Sequence, residues 1–326
     1  MSVFVVIWHM GGGGHSLIFS RQDYTKHAFV FSDFLNFHVL LLAVPVFIFI
    51  SIYLFSIKQP SLATLRKRVA RLALLLTFWP LILIFYNAGY RGLASLPWAP
   101  PVNAVYTIFQ AGQTIYYFFP SLIVCLCVAY IFIRLNRKLQ VILMLASLAL
   151  LVVLPILTKI SNFYVASAYW NPFNFVPLSF AAVLVAQNTS FMLRRRIMVI
   201  ALSLLFSLFF SFLEWRYATG HIFFLGQGHA IPAYTRPSLL FEVIAIFAAA
   251  MDPRIKAPGV IRFMSKNSLA LYCLHPFLIS PVSQAIPLYI ANKTEALYAS
   301  IALVVVGCYL LAVPLRRWYL REPLIT

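Results

Sequence analysis

The chain has 326 residues, 63% of them hydrophobic, with a mean hydropathy of +0.91 and only 10% charged. That excludes an ordinary soluble globule, about a quarter of whose residues are charged. The formal net charge of +18 would suit a nucleic-acid binder, but the basic residues sit in short clusters between apolar runs too long for a soluble domain to bury. A membrane surface therefore accounts for the charge, and nucleic acid does not.

Apolar runs near the roughly twenty residues needed to cross hydrocarbon fall in chain order at 1–18, 30–57, 72–90, 115–133, 139–157, 173–190, 197–214, 238–251, 267–283 and 297–314. The implied fold class is all-α, a polytopic membrane bundle of about ten transmembrane helices. No polar stretch exceeds roughly thirty residues, short of the at least about fifty that a soluble domain needs, so residues 1–326 read as one transmembrane domain. The opening MSVFVVIWHMGGGG has no basic n-region and its apolar stretch ends at His9, so it reads as the remnant of a first transmembrane helix, not a signal peptide. Cys125, Cys127, Cys273 and Cys308 lie within apolar runs as small hydrophobes, and no disulfide is expected.

Basic residues fix the expected orientation. One set of alternate loops carries 18 of the 25, including Lys58, Arg66, Lys67, Arg68, Arg71, Arg134, Arg137, Lys138, the run 194–196, Arg254, Lys256, Arg262 and Lys266; the other carries Arg21, Lys26, Arg91, Lys159, Arg216, Arg236 and Lys293. Positively charged loops stay in the cytoplasm, so both termini are expected there, in a bacterial cytoplasmic membrane. The opposite loops hold Trp98, Trp170 and Trp215, as interfacial aromatics should.

Ionisable groups inside apolar helices cost about 2.5 to 3.5 kcal/mol each at the helix centre, so they mark the candidate site. His9 falls within the first run and is followed by glycines 11–14, which end or loosen a helix and let backbone line a cavity. Its imidazole is a natural general base near neutral pH; a buried, hydrogen-bonded histidine is the plain alternative. SLALYCLHP puts Ser268, Tyr272 and His275 at i, i+4 and i+7, one helical stripe facing into the bundle, as a site wall or as interhelical hydrogen bonds. Arg68 and Arg71, three apart at the cytoplasmic entrance of the third helix, are either topogenic or a phosphate clamp. Glu242 is an intramembrane carboxylate that could meet Arg236 only if the helix start bends back, since a six-residue spacing does not share a face. Asp33, His38 and Glu214 complete the set, with Asp33 and Glu214 expected at wet outer ends.

In order, these pieces resemble the membrane acyltransferase-3 family of bacterial O-acyltransferases. VFVVIWHM is similar to the family's opening helix ending in histidine, VPVFIFISIYLFSIK to its apolar second helix, Arg68 and Arg71 to its RxxR, and SLALYCLHPFLI to its C-terminal serine, tyrosine and histidine signature. The resemblance departs at two points: the family's arginine about three turns before that histidine has no counterpart within this sequence, and ISIYL stands where Ser-Gly is common. It implies an enzyme that takes an acyl group, acetyl above all, from cytosolic acyl-CoA as donor substrate and delivers it to a hydroxyl of a cell-envelope carbohydrate or lipid-linked glycan. His9 would then be catalytic, Arg68 and Arg71 would hold the donor, and Ser268, Tyr272, His275, Glu242 and Arg236 would bind substrate, with no metal and no permanently bound cofactor.

A polytopic transporter or flippase of lipid-linked saccharides is the alternative, but no internal repeat is visible to support it. A polysaccharide polymerase would place its chemistry in a large outer loop, and the two longest, 91–114 and 215–237, carry only Arg91, Arg216, His221, His229 and Arg236 as basic or titratable groups. The charge pattern makes one prediction directly. A Ser61→Cys thiol should resist a membrane-impermeant maleimide in intact cells and react after permeabilisation; labelling from outside reverses the orientation.

Overall fold

The structure, a computed structural model, describes residues 2–11, 31–94, 115–161, 168–218 and 233–319. Gly12, Gly13, Gly14, Trp98, His221 and His229 lie outside the described residues. Among the described residues every regular element is a helix. They are α1 (Ser2–His9), α2 (Phe31–Phe34), a π-helical turn (Leu35–Leu40), α3 (Ala43–Ser56), α4 (Leu62–Ala94), α5 (Phe118–Phe132), α6 (Arg137–Ser161), α7 (Val176–Gln187), α8 (Thr189–Arg194), α9 (Arg196–Ala218), α10 (Pro237–Ala250), α11 (Gly259–Lys266), α12 (Ser268–Ala285) and α13 (Lys293–Tyr319).

Each of the ten predicted runs coincides with one of these helices or pairs, and six spans are long and apolar enough to cross a membrane. The fold is thus an all-α membrane helix bundle. Two predicted bounds are corrected. The first helix ends at His9 and not near 18, because the chain turns at Gly11 with φ +72°, a conformation glycine adopts without strain. The third starts at Leu62 and not 72: Ser61 Oγ accepts from the Thr64 N–H (3.2 Å), an N-cap the charged run had hidden. At 33 residues α4 is about 50 Å long, well beyond the roughly 30 Å of hydrocarbon, so its basic first turns can project past it.

Burial sorts the helices into centre and perimeter. In the most apolar stretch of the span Leu35–Ser56, 67% of the residues are buried, against 11% in Leu62–Asn87 and Arg137–Leu157 and 17% in Arg196–Tyr217. The perimeter helices present Phe78 and Phe85 on α4, Leu145 on α6, and Leu205, Leu208 and Phe212 on α9 to the surroundings. Apolar area on this scale belongs against lipid. The short helices α5, α7 and α10 pack with α3 in the interior, where Phe132 and Phe180 stack at 4.1 Å. At 15, 12 and 14 residues they reach only about 18 to 23 Å. Their irregular approaches are tolerated because protein, not lipid, surrounds them.

The short connections between helices meet at one end, which carries most of the charge. Arg134 donates to the Pro60 carbonyl (3.0 Å), Tyr53 and Thr189 hydroxyls lie 3.4 Å apart, Arg137 reaches Gln187 (3.3 Å), and Arg196 pairs with Asp252 (2.7 Å). This is the basic end. Here too lies α11, none of whose residues is buried: Val260, Ile261 and Phe263 are exposed beside Arg262 and Lys266.

One polar knot lies deep in the bundle. Arg236, the largest fully buried side chain among the described residues, donates from Nε to Glu214 Oε2 (2.9 Å), from an Nη to Ser238 Oγ (3.2 Å) and from the other to the Phe37 carbonyl. Glu214 also accepts from the Ser238 N–H (2.9 Å) and hydroxyl (2.7 Å). The chain was expected to leave Glu214 and Asp33 wet; both are buried. Hydropathy places them near span ends, but for Glu214 the partner that draws it inward comes 22 residues later. The Phe37 carbonyl belongs to a π-helical turn followed by a break at Leu41 and Leu42, one turn before Pro45, which has no N–H to continue the ladder. Removing one partner should therefore strand a buried charge. Glu214→Ala should lower stability by about 3 to 5 kcal/mol, read as thermal unfolding in detergent, while Glu214→Leu with Arg236→Met should recover most of it. Unchanged melting of Glu214→Ala would show that the knot supports nothing.

Candidate active site

The C-terminal stripe lies on one helix and turns into the bundle. Ser268 begins α12, half-buried, and Tyr272 and His275 one and two turns on are buried. His275 and Tyr272 rings lie 5.8 Å apart. Ser268 sits about 10 Å further along the axis toward the basic end, so it shares the face but not the immediate site. His275 Nδ1 lies 3.2 Å from the Leu271 carbonyl. A carbonyl only accepts, so Nδ1 carries the proton and Nε2 keeps a lone pair. That Nε2 is buried and has no hydrogen-bond partner.

Facing it is His9, whose ring centroid lies 5.5 Å from that of His275 at a 32° tilt. The short α1 packs against α12, α13 and the π-helical turn, with Val6 fully buried among Leu271, Leu274, Val304 and Cys308. Gly307 lets α13 come close to α12 here, since an added Cβ would meet Leu278 Cδ1 at 3.1 Å. His9 itself is solvent-accessible. Of the two neighbouring imidazoles only that of His9 is exposed, so that ring could meet a substrate and the buried one could act only through it.

Aromatic side chains that the sequence reading passed over pack beside this stripe. Tyr116 donates to the Cys273 carbonyl (2.8 Å), and the Tyr272 ring lies 5.2 Å from that of Phe118 and 5.8 Å from that of Phe119. Tyr117 and Tyr234 hydroxyls meet at 2.7 Å, with the Phe175 ring tilted against Tyr234 at 4.9 Å. Two tyrosines and two phenylalanines together in TIYYFFP, ahead of a short span, were the available signal. Pro281 leaves the Phe277 carbonyl without its helical donor, and Tyr86 supplies one (3.3 Å).

The remaining candidates lie elsewhere. Arg68 and Arg71 are half-buried on the first turns of α4 at the basic end, with the Arg68 guanidinium over the Phe55 ring at 5.2 Å. Glu242 does not meet Arg236, whose carboxylate is Glu214. It accepts instead from His38 Nδ1 (2.5 Å) and Ser207 Oγ (3.0 Å), partners on the π-helical turn and α9 and not on α12. Arg236 is locked in the buried knot. Among the described residues no three histidine, cysteine or carboxylate side chains group as a metal site.

Residues 2–313 match a family model described as an acyltransferase domain, which defines the class: a membrane acyltransferase. The match covers nearly the whole chain, and the protein belongs to the acyltransferase-3 family. No curated protein and no solved structure matches it.

Proposed function

We propose that the protein transfers an acyl group, acetyl above all, from cytosolic acyl-CoA to a hydroxyl of a cell-envelope carbohydrate or lipid-linked glycan, in a bacterial cytoplasmic membrane with both termini inside. The observation that carries this reading is the pair of imidazoles 5.5 Å apart, one accessible and one sealed with a bare Nε2. His9 takes the proton of the acceptor hydroxyl as its oxygen attacks the thioester carbonyl; the C–S bond breaks, and the proton passes to the departing thiolate. Alternatively His9 attacks the thioester carbonyl first, the C–S bond breaks and the imidazole proton goes to the departing thiolate; the acylimidazole then yields its acyl group to the acceptor hydroxyl, whose proton returns to the imidazole. Both routes need an accessible imidazole at this position, and in both His275 is a positioning residue.

The donor would arrive from the basic end. Helices α4 and α12 both rise from that end, and Trp79 lies 6.0 Å from Phe277, which sets their relative level. Arg68 and Arg71 are 11 and 8 residues before Trp79, so they lie roughly 10 to 15 Å along the axis from His275. A pantetheine arm is built for that kind of reach: the arginines would hold phosphates while the thioester meets His9. Tyr272, Ser268 and the aromatic wall would shape the passage; Glu242 and Arg236 would support it from outside the α12 face.

Two measurements test this. Arg68→Lys and Arg71→Lys keep the charge but lose the bidentate fork, so each should weaken acyl-CoA binding; wild-type binding by both variants makes the pair topogenic only. With membranes and radiolabelled acetyl-CoA, His9→Ala should abolish label in glycan or lipid while the protein stays folded and still binds acyl-CoA, and His275→Ala should leave a measurable residual rate. Near-wild-type turnover by His9→Ala would sink the assignment.

A further inference from the structure

A pocket opens at the basic end, on the side of the bundle formed by α8, α9 and the segment after α10. Its volume is about 520 Å³, and its lining includes Arg194, Arg195, Arg196 and Arg254 beside Leu193 and Ile197. The only acid in the lining, Asp252, is already engaged: Oδ2 takes Arg196 (2.7 Å) and Oδ1 accepts from the Arg254 N–H (3.0 Å). Those contacts hold the Asp252 carboxyl below its ordinary range, the Arg254 N–H contributing most. Arg194, Arg195 and Arg254 therefore line one small volume whose one carboxylate is already engaged.

Two further features say what would pair with these arginines. The first hydrogen bond of α9 runs from the Val199 N–H to the Arg195 carbonyl, so the N–H groups of Ile197 and Met198, both in the lining, have no acceptor within the helix. Guanidinium forks and a helix N-terminus together favour phosphate oxygens. The lining is also apolar where water would be expected: Ile197 is 78% exposed, and Leu193 and Met198 nearly half. A water-soluble anion would use only the arginines, whereas a phosphate joined to acyl chains meets the arginines and this lipid-facing apolar surface together. The amphipathic α11, with Val260 and Ile261 exposed beside Arg262 at this same end, marks the interface where such headgroups lie.

We propose that this pocket binds the phosphate of an anionic phospholipid, with Arg194, Arg195 and Arg254 on the headgroup and Leu193 and Ile197 against its chains. It is a different site from the arginine pair on α4 and does not depend on the proposed reaction.

The test uses the purified full chain in neutral detergent, with thermal unfolding as the readout and three probes: short-chain phosphatidylglycerol, the matching phosphatidylcholine, and coenzyme A. Ligand that binds only the folded state raises the melting temperature with concentration. Phosphatidylglycerol should raise it by a few degrees and phosphatidylcholine should not. The triple variant Arg194→Gln, Arg195→Gln, Arg254→Gln should melt like wild type without lipid but lose the rise. If that variant does not fold, lysines at the same three positions, which keep the charge but not the fork, should require several-fold more lipid for the same rise. An equal rise with phosphatidylcholine, no rise at all, or an undiminished rise in the variants overturns the proposal. A rise with coenzyme A alone that the triple variant loses overturns it in favour of the donor's nucleotide phosphates.

Discussion

The arrangement depends on Arg236 being satisfied inside a bundle where water cannot do it. A guanidinium brought into so apolar an interior must find its acceptors within the protein, and Arg236 finds three kinds: the Glu214 carboxylate, the Ser238 hydroxyl and the Phe37 carbonyl. These partners come from α9, the start of α10 and the π-helical turn, so one side chain fixes three elements that hydrophobic contact alone would leave free to slide. In hydrocarbon that matters more than in water, because lipid competes equally well for any apolar face. The π-helical turn against which α1 packs is held by this knot, and α1 carries His9.

From that fixed point the bundle differs from a soluble protein mainly on its outside. Its least buried helices, α4, α6 and α9, turn apolar side chains outward to lipid, while the interior, itself apolar, also holds the short helices, several tyrosines and the Arg236–Glu214 and His38–Glu242 pairs. Short interior helices have a purpose here. Where they stop, backbone and aromatic rings such as those of Tyr116, Tyr117 and Tyr234 take the place of a continued helical ladder.

The two ends divide their chemistry. At the basic end, arginines occur in two separate settings, one on the projecting turns of α4 and one around the pocket at α8 and α9. A single total of positive charge conceals that difference. The first set lies on the helix that runs up beside His275; the second borders exposed leucine and isoleucine.

Sequence alone determined the class of fold and the family. Twenty-residue apolar runs have few stable outcomes in a membrane, which is why each of the ten predicted spans has a helix in the described structure. Order along the chain of His9, Arg68, Arg71, Ser268, Tyr272 and His275 was enough to suggest the family, since motifs are linear. What the sequence could not decide was pairing. Spacing spoke against Glu242 meeting Arg236 and offered no other partner; the fold gave Arg236 to Glu214 and Glu242 to His38, because long-range partners are chosen by how helices pack and not by local periodicity. Nor could it bring His9 within 5.5 Å of a histidine 266 positions away or tell which of the two stays open to solvent. Those facts belong to tertiary structure, because only the packing of α1 against α12 and α13 creates them.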